Sequence, residues 1–197
     1  MSKEIRQFVM AYGIEQDRVR ALLPDGFVSL RPALRINAEI RGGTELYIEF
    51  NVPVATDGFR GWLNIGRWDS GHAPLTLRME DGSYVFGLPF LSLHFRPVGI
   101  LGGCPAERDN DGCIFLTDEG YQTIAAKSID SNKEFCDCSF AWLFPEAGAH
   151  GISIGKTLPA IPVPAMKTYP RKPLTVQNAA AIPCSQVLGA YTVSFQR

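Results

Sequence analysis

Six residues able to do chemistry alternate along one short stretch: Arg35, Asn37, Glu39, Tyr47, Glu49 and Asn51. A guanidinium can hold a carboxylate through paired, charge-assisted hydrogen bonds. A carboxylate within hydrogen-bond reach of a substrate proton can remove it. Glu39 and Glu49 are the carboxylates of this face, and Arg35, Asn37 and Tyr47 are candidate substrate-binding side chains. A second set alternates at Ser92, His94 and Arg96. His94, on the polar side of a strand, is the best acid–base candidate among the three histidines, since His72 and His150 lie in apparent loops.

Two strands must position the first set. Leu34 to Arg41 alternates apolar and polar, and so does Leu46 to Val52, as pleated strands require. Gly42-Gly43-Thr44 lies between them and can supply the positive φ of a tight turn. Residues opposite each other must share a face, and this selects the register. A two-residue loop would set Glu39 against Leu46. A three-residue loop sets Arg41 against Glu45, Glu39 against Tyr47, Asn37 against Glu49 and Arg35 against Asn51, and it makes apolar pairs of Ile40–Leu46, Ala38–Ile48, Ile36–Phe50 and Leu34–Val52. The three-residue loop is the consistent one. Its polar face is either the wet side of an antiparallel sheet or the inner wall of a barrel with a ligand-binding interior, and the pattern alone does not separate the two. In either case Arg41, near the turn, is expected to be an exposed cross-strand partner.

Other motifs fail on context. Gly151-Ile152-Ser153-Ile154-Gly155 has the spacing of a nucleophile elbow, but Pro159 follows closely and no Asp, Glu or His comes after Ser153. Gly155-Lys156-Thr157 lacks the earlier glycine of a phosphate loop, because position 150 is His150. Glu107 to Asp118 imitates a calcium loop, with Gly112 at its sixth position, but has no flanking helix and no terminal glutamate. Cys104, Cys113, Cys136, Cys138 and Cys184 show no paired zinc spacing. No metal and no cofactor is expected.

The 197 residues suit a single domain, 1–197, with one sizeable core. A net charge of −1 with 20% charged residues argues against a nucleic-acid or membrane-surface partner. No apolar run approaches the roughly 20 residues of a membrane span. Five cysteines, an odd number, fit reduced thiols in a cytoplasmic protein better than a disulfide framework. Fourteen prolines and nineteen glycines cut the chain into the short pieces of a β-rich fold.

In chain order, Arg6 to Tyr12 reads as a strand and Glu15 to Leu23 as a short helix stopped by Pro24. Gly58 to Trp68 is a strand with a bulge or close backbone approach. Leu75 to Met79 and Tyr84 to Leu88 form a hairpin around Asp81-Gly82. Leu91 to Arg96, Cys113 to Leu116, Phe135 to Leu143, Leu174 to Ile182 and Gln186 to Phe195 are further strands. Tyr121 to Lys127 reads as a helical turn, and the proline-rich run Pro159 to Pro173 as an extended crossing.

Tyr12, then Leu22-Leu23-Pro24, the charged strand Leu34 to Arg41, Tyr47-Ile48-Glu49 and Pro53-Val54 follow an order similar to that of the acetoacetate decarboxylase family, and Leu174 to Phe195 resembles its closing strand pair. The resemblance implies a mainly β, β-rich α+β architecture: an antiparallel β-barrel-like acetoacetate decarboxylase-type fold with one or two short helices and an interior active site. It also implies that Glu49, on the Tyr-x-Glu strand, is the pocket glutamate and candidate catalytic base, and that Arg6, which matches the family's N-terminal arginine, joins the substrate-binding candidates. The family's Schiff-base lysine has no counterpart, since no lysine lies between Lys3 and Lys127. Arginine cannot replace it, because it stays protonated. The expectation is thus a pocket for a small-molecule carboxylate or carbonyl ligand, with acid–base rather than Schiff-base chemistry, lyase- or hydrolase-like. The alternative is a non-catalytic binding protein of the same fold. A homo-oligomer is a further expectation.

Overall fold

Period-two alternation becomes strand almost everywhere it occurs. The computed structural model describes residues 2–102, 112–117, 119–125, 132–143 and 184–197. Within them lie β1 (Glu4–Ile14), α1 (Gln16–Leu22), β2 (Val28–Ser29), β3 (Ala33–Arg41), β4 (Glu45–Thr56), β5 (Phe59–Asp69), β6 (Thr76–Glu80), β7 (Ser83–Leu88), β8 (Leu91–Leu101), β9 (Cys113–Thr117), β10 (Gly120–Ile124), β11 (Glu134–Trp142) and β12 (Cys184–Gln196). All twelve strands belong to one sheet, in the order β10-β9-β5-β4-β3-β1-β12-β11-β8-β7-β6, with β2 added beside β4. Every pairing is antiparallel except β5 with β9.

The β3–β4 register is the one that face-matching selects: Arg41↔Glu45, Glu39↔Tyr47, Asn37↔Glu49 and Arg35↔Asn51, with Ile40↔Leu46, Ala38↔Ile48 and Ile36↔Phe50 between them. Gly42 and Gly43 take positive φ in the turn. At the β6–β7 hairpin, Asp81 and Gly82 both have positive φ, the backbone that matches strand twist in a two-residue loop.

The sheet folds over on its apolar face. Phe8 of β1 lies 4.8 Å from Tyr84, 5.5 Å from Phe86 and 5.3 Å from Phe95, ring centre to ring centre, although four strand steps separate β1 from β7. Phe50 of β4 meets Trp142 of β11 at 5.6 Å. Ile36, Ala38, Ile48, Met10, Leu93 and Phe140 fill the space between. The sheet is barrel-like but its end strands, β10 and β6, are not paired with each other. This is the mainly β, barrel-like architecture that the resemblance implies, and α1 is the helix among the described residues. None of those residues forms a helix long and apolar enough to cross a membrane.

Three details depart from the sequence reading or sharpen it. Within the expected helical turn Tyr121 to Lys127, the described residues to Ile124 are strand: Gly120–Ile124 pairs with β9 as a hairpin, placing Gln122 opposite Phe115 and Thr123 opposite Ile114. β5 carries its bulge at Ile65, since Phe50 pairs with Gly66 and Asn51 with Asn64. Its close approach is at Gly61, where an added Cβ would sit 2.2 Å from the Gly112 carbonyl oxygen. The Leu174–Ile182 strand, the proline-rich run, the Gly151–Thr157 motifs and Glu107 to 111 lie outside the described residues.

Candidate functional site

The interior that the folding-over creates is hydrocarbon. The polar face of the β3–β4 hairpin points away from it, yet that face is not wet: Asn37 is 2% exposed, Glu39 1% and Asn51 0%. Neither simple alternative for the face holds. It is a buried polar layer on the outer side of the sheet, and buried polar groups must find partners.

Strand register supplies those partners. Asn37 Nδ2 donates to Glu49 Oε1 at 2.7 Å, and the Tyr47 hydroxyl donates to Glu49 Oε2 at 2.8 Å. Gln7 Nε2 donates to Glu39 Oε1 at 2.8 Å, and Arg41 Nε to Glu39 Oε2 at 2.6 Å. Burial and the adjacent Glu49 carboxylate raise the Tyr47 phenol well above its usual range, so it remains a donor. Arg41 lies 3.7 Å from the centre of the Tyr47 ring. Burial disfavours its charge, but Glu39, with help from Tyr47 and Glu49, outweighs this and holds its pKa above the ordinary value. Cys113 sits close enough to feel Glu49 and Arg35. Burial first, then Glu49, pushes its thiol up to about 11.

Beside this layer opens a cleft of about 370 Å³. Its floor is Val9, Ala11 and Gly189, which register places side by side: Ala11 faces Arg35 on β3 and Gly189 on β12. One wall holds Arg35, whose guanidinium carbon lies 3.9 Å from the Trp62 ring centre, and Arg31, at 5.2 Å from the same ring. The other wall holds Lys133, with its ammonium 4.6 Å from the centre of Tyr191. Trp62 is 4% exposed, and its Nε1 is buried without a hydrogen-bond partner among the described residues. The described lining includes three cations and no carboxylate.

The sequence candidates divide between these places. Arg35, Asn37, Tyr47 and Glu49 are brought together, with Arg35 in the cleft wall and the other three in the layer beside it. Arg6 is not with them. It alternates with Phe8 onto the apolar side of β1, where its guanidinium donates to the Tyr84 hydroxyl. His94 is on β8, five strand steps from β4, with Nε2 3.0 Å from Ser92 Oγ. Arg41 is also not an exposed partner of Glu45: it turns along its own strand to the buried Glu39, and Lys3 occupies Glu45 at 2.6 Å. Sequence reasoning missed Arg31, Trp62, Lys133 and Tyr191 as site residues. They come from four separate segments, and only the β5-β4-β3-β1-β12-β11 order of the sheet brings them to one cleft.

The sequence matches no family model and no curated protein. Its fold does match solved structures. Acetoacetate decarboxylase from Legionella pneumophila subsp. pneumophila str. Philadelphia 1 superposes with a TM-score of 0.53 at 13% identity, over 99% of this chain and 83% of that one. The enduracididine biosynthesis enzyme MppR, complexed with the condensation product of pyruvate and imidazole 4-carboxaldehyde, gives 0.61 at 8% identity, over 99% and 85%. An acetoacetate decarboxylase-like enzyme from Sphingomonas wittichii RW1 gives 0.51 at 12% identity, over 99% and 88%. The chain thus has an acetoacetate decarboxylase-type fold, one used by enzymes that process small molecules.

Proposed function

We propose that this protein binds a small organic acid or carbonyl compound in the cleft between Arg35–Trp62 and Lys133–Tyr191. The single observation that carries the reading is the lining: three cations, held against the rings of Trp62 and Tyr191, around an open space with no acidic side chain among the described lining residues. Cations held against aromatic faces are already oriented, so less conformational freedom is lost when an anion arrives. The names of the structural neighbours point the same way, since one is an acetoacetate decarboxylase and MppR has been seen with pyruvate.

A second reading, acid–base catalysis on such a compound, is favoured by Glu49. Its carboxylate is buried and fixed from both oxygens by Asn37 and Tyr47, in the layer adjoining the cleft. A base held in one orientation is what proton abstraction needs. In this reading the reaction is lyase-like and acts on a keto acid.

Thermal unfolding against a panel of organic acids tests the binding. A ligand at a hundred times its Kd stabilises the fold by about 2.7 kcal/mol, which is a Tm rise of roughly 5–10 °C for a chain of this size. Arg35→Met is expected to abolish the rise. Glu49→Gln is expected to keep it while removing any turnover. A panel that leaves the wild-type Tm unchanged would refute the proposal.

A further inference from the structure

The rim of the cleft carries a second signal beside its charge. Phe135 is 44% exposed and Leu188 55%, and both line the cleft on its β11–β12 side. Large apolar side chains left in water at the edge of a depression gain when a ligand covers them. Leu188 is there because of a bulge. Ala11 pairs with Gly189 and Tyr12 with Val187, so Leu188 is the extra residue between them. Strict alternation would send it to the inner face with Ala190, whereas the bulge turns it toward the cleft. Phe135 is placed by Gly102, where an added Cβ would lie 3.3 Å from the Phe135 Cζ.

Register sets a flat apolar strip beside this rim. Phe135 stands opposite Tyr191, Tyr191 opposite Val9, and Gly189 opposite Ala11. An added Cβ at Gly189 would meet nothing within 4 Å, so the space above the strip is open. Side chains this short let a planar ring lie in full contact, with the Phe135 ring at its edge. Across the strip, just before β3, is Arg31. It is exposed, its guanidinium carbon lies 5.2 Å from the Trp62 ring centre, and it forms no ion pair among the described residues. β3, β1 and β12 are successive strands, so the two sides are roughly 10 Å apart at about 4.8 Å per step. A cation at one end and exposed hydrocarbon at the other make the slot amphipathic. A short acid would reach the cation and leave Phe135 and Leu188 in water.

We infer that the cleft takes aryl-substituted monocarboxylates in preference to short aliphatic acids, the carboxylate meeting Arg31 and the ring lying over Ala11 and Gly189 against Phe135 and Leu188. The inference rests on the proposed reading of the cleft as an organic-acid site and names the class of acid it takes.

Titration calorimetry of the full chain with 3-phenylpropanoate, propanoate and 3-phenylpropan-1-ol tests it. The aryl acid is expected to bind at least about tenfold more tightly than propanoate, through burial of its ring. It is also expected to bind at least about tenfold more tightly than the alcohol, which lacks the charge. Phe135→Ser and Leu188→Ser alter exposed side chains. Each is expected to weaken 3-phenylpropanoate at least about threefold and to leave propanoate unchanged. Arg31→Met is expected to weaken both acids and not the alcohol. Equal affinity for the two acids would overturn the inference while leaving the organic-acid reading intact, and so would undiminished 3-phenylpropanoate binding in both serine variants. The alcohol binding as tightly as its acid would overturn the inference too, because Arg31 would then have no part. If neither acid binds, the inference fails, and the organic-acid reading fails with it where the thermal panel is silent as well.

Discussion

Asn37 stands directly opposite Glu49 across the β3–β4 pairing, and its amide Nδ2 donates to Glu49 Oε1 at 2.7 Å. Both residues are buried, so the hydrogen bond replaces water that the carboxylate has lost. Asn37→Ala is expected to destabilise the fold by about 2–3 kcal/mol, because a buried charged acceptor loses its donor. Asn37→Asp should be worse still, since it sets two carboxylates face to face. Urea unfolding measures both. If Asn37→Ala costs under about 0.5 kcal/mol, Glu49 does not depend on this contact.

Arg41 and Lys3 offer a contrast between a buried and an exposed ion pair. Arg41 Nε meets a Glu39 side chain that is 2% exposed, whereas the Lys3 and Glu45 side chains are 55% and 57% exposed. Arg41→Ala should cost about 2–3 kcal/mol by leaving the Glu39 carboxylate buried with Gln7 as its remaining partner. Lys3→Ala should cost under about 0.5 kcal/mol. Similar losses for the two would contradict the burial of Glu39.

The alkaline limit of stability follows from groups that burial holds protonated. Cys113 is pushed up to about 11 from an ordinary 9.0, and Tyr47 is raised from an ordinary 10.0. Below pH 9 these groups carry their protons both folded and unfolded, so they add no pH dependence. As pH climbs from 9 to about 11, the unfolded chain gives up protons that the folded chain retains, and stability falls. The Tyr47 contribution begins near pH 10 and runs higher. Urea midpoints between pH 8 and 11 are expected to decline, less steeply in Cys113→Ala.

Cys113 should also be a poor nucleophile. At pH 8 its thiolate is about a hundredfold scarcer than in the unfolded chain, so iodoacetamide should label it only after denaturation. Rapid labelling of native Cys113 would place it outside its present surroundings.

Gly61→Ala tests the support of the cleft. A Cβ there would lie 2.2 Å from the Gly112 carbonyl oxygen, a backbone atom that also accepts the Trp62 N–H at 2.8 Å. The strands β5 and β9 would have to separate, at a cost of about 2–3 kcal/mol, and Trp62 would shift with them. Gly87→Ala is a milder comparison. Its Cβ would meet the Thr76 hydroxyl at 2.9 Å and Arg78 Nη1 at 3.6 Å, both at the ends of side chains that can rotate. Organic-acid binding should be lost in Gly61→Ala and kept in Gly87→Ala.

The sequence made the central hairpin legible because its information is local. Seven register pairs follow from alternation and the length of the Gly42-Gly43-Thr44 turn, since a slip of one residue would put Glu39 against Leu46. The helix after Ile14 and the turn at Asp81-Gly82 are legible for the same reason. The cleft was not, because its members share no periodic pattern. Trp62 alone looks like core, and Lys133 precedes a strand with no motif around it. The burial of the polar face was equally hidden, since alternation states which residues share a face but not what covers that face. Tyr121 to Ile124 misled because an apolar spacing over so few residues suits a short helix and an edge strand alike.

β1 and β12 hold a consequence for how the protein folds. The two strands are hydrogen-bonded from Glu4↔Gln196 to Ile14↔Cys184, yet β1 lies near one end of the chain and β12 near the other. They occupy the middle of the sheet rather than its border. Sheet assembly therefore has to close its longest loop to join its two halves, and contacts of such sequence separation slow folding toward milliseconds to seconds. During synthesis, β1 and β3 can pair early, but the outer edge of β1 stays open until Cys184 and the residues after it have left the ribosome. Throughout that interval β1 presents an unpaired row of backbone donors and acceptors, the kind of edge on which strands from other chains add. A chain cut before Cys184 would keep that edge permanently, and it should accumulate as aggregate rather than as a smaller folded protein.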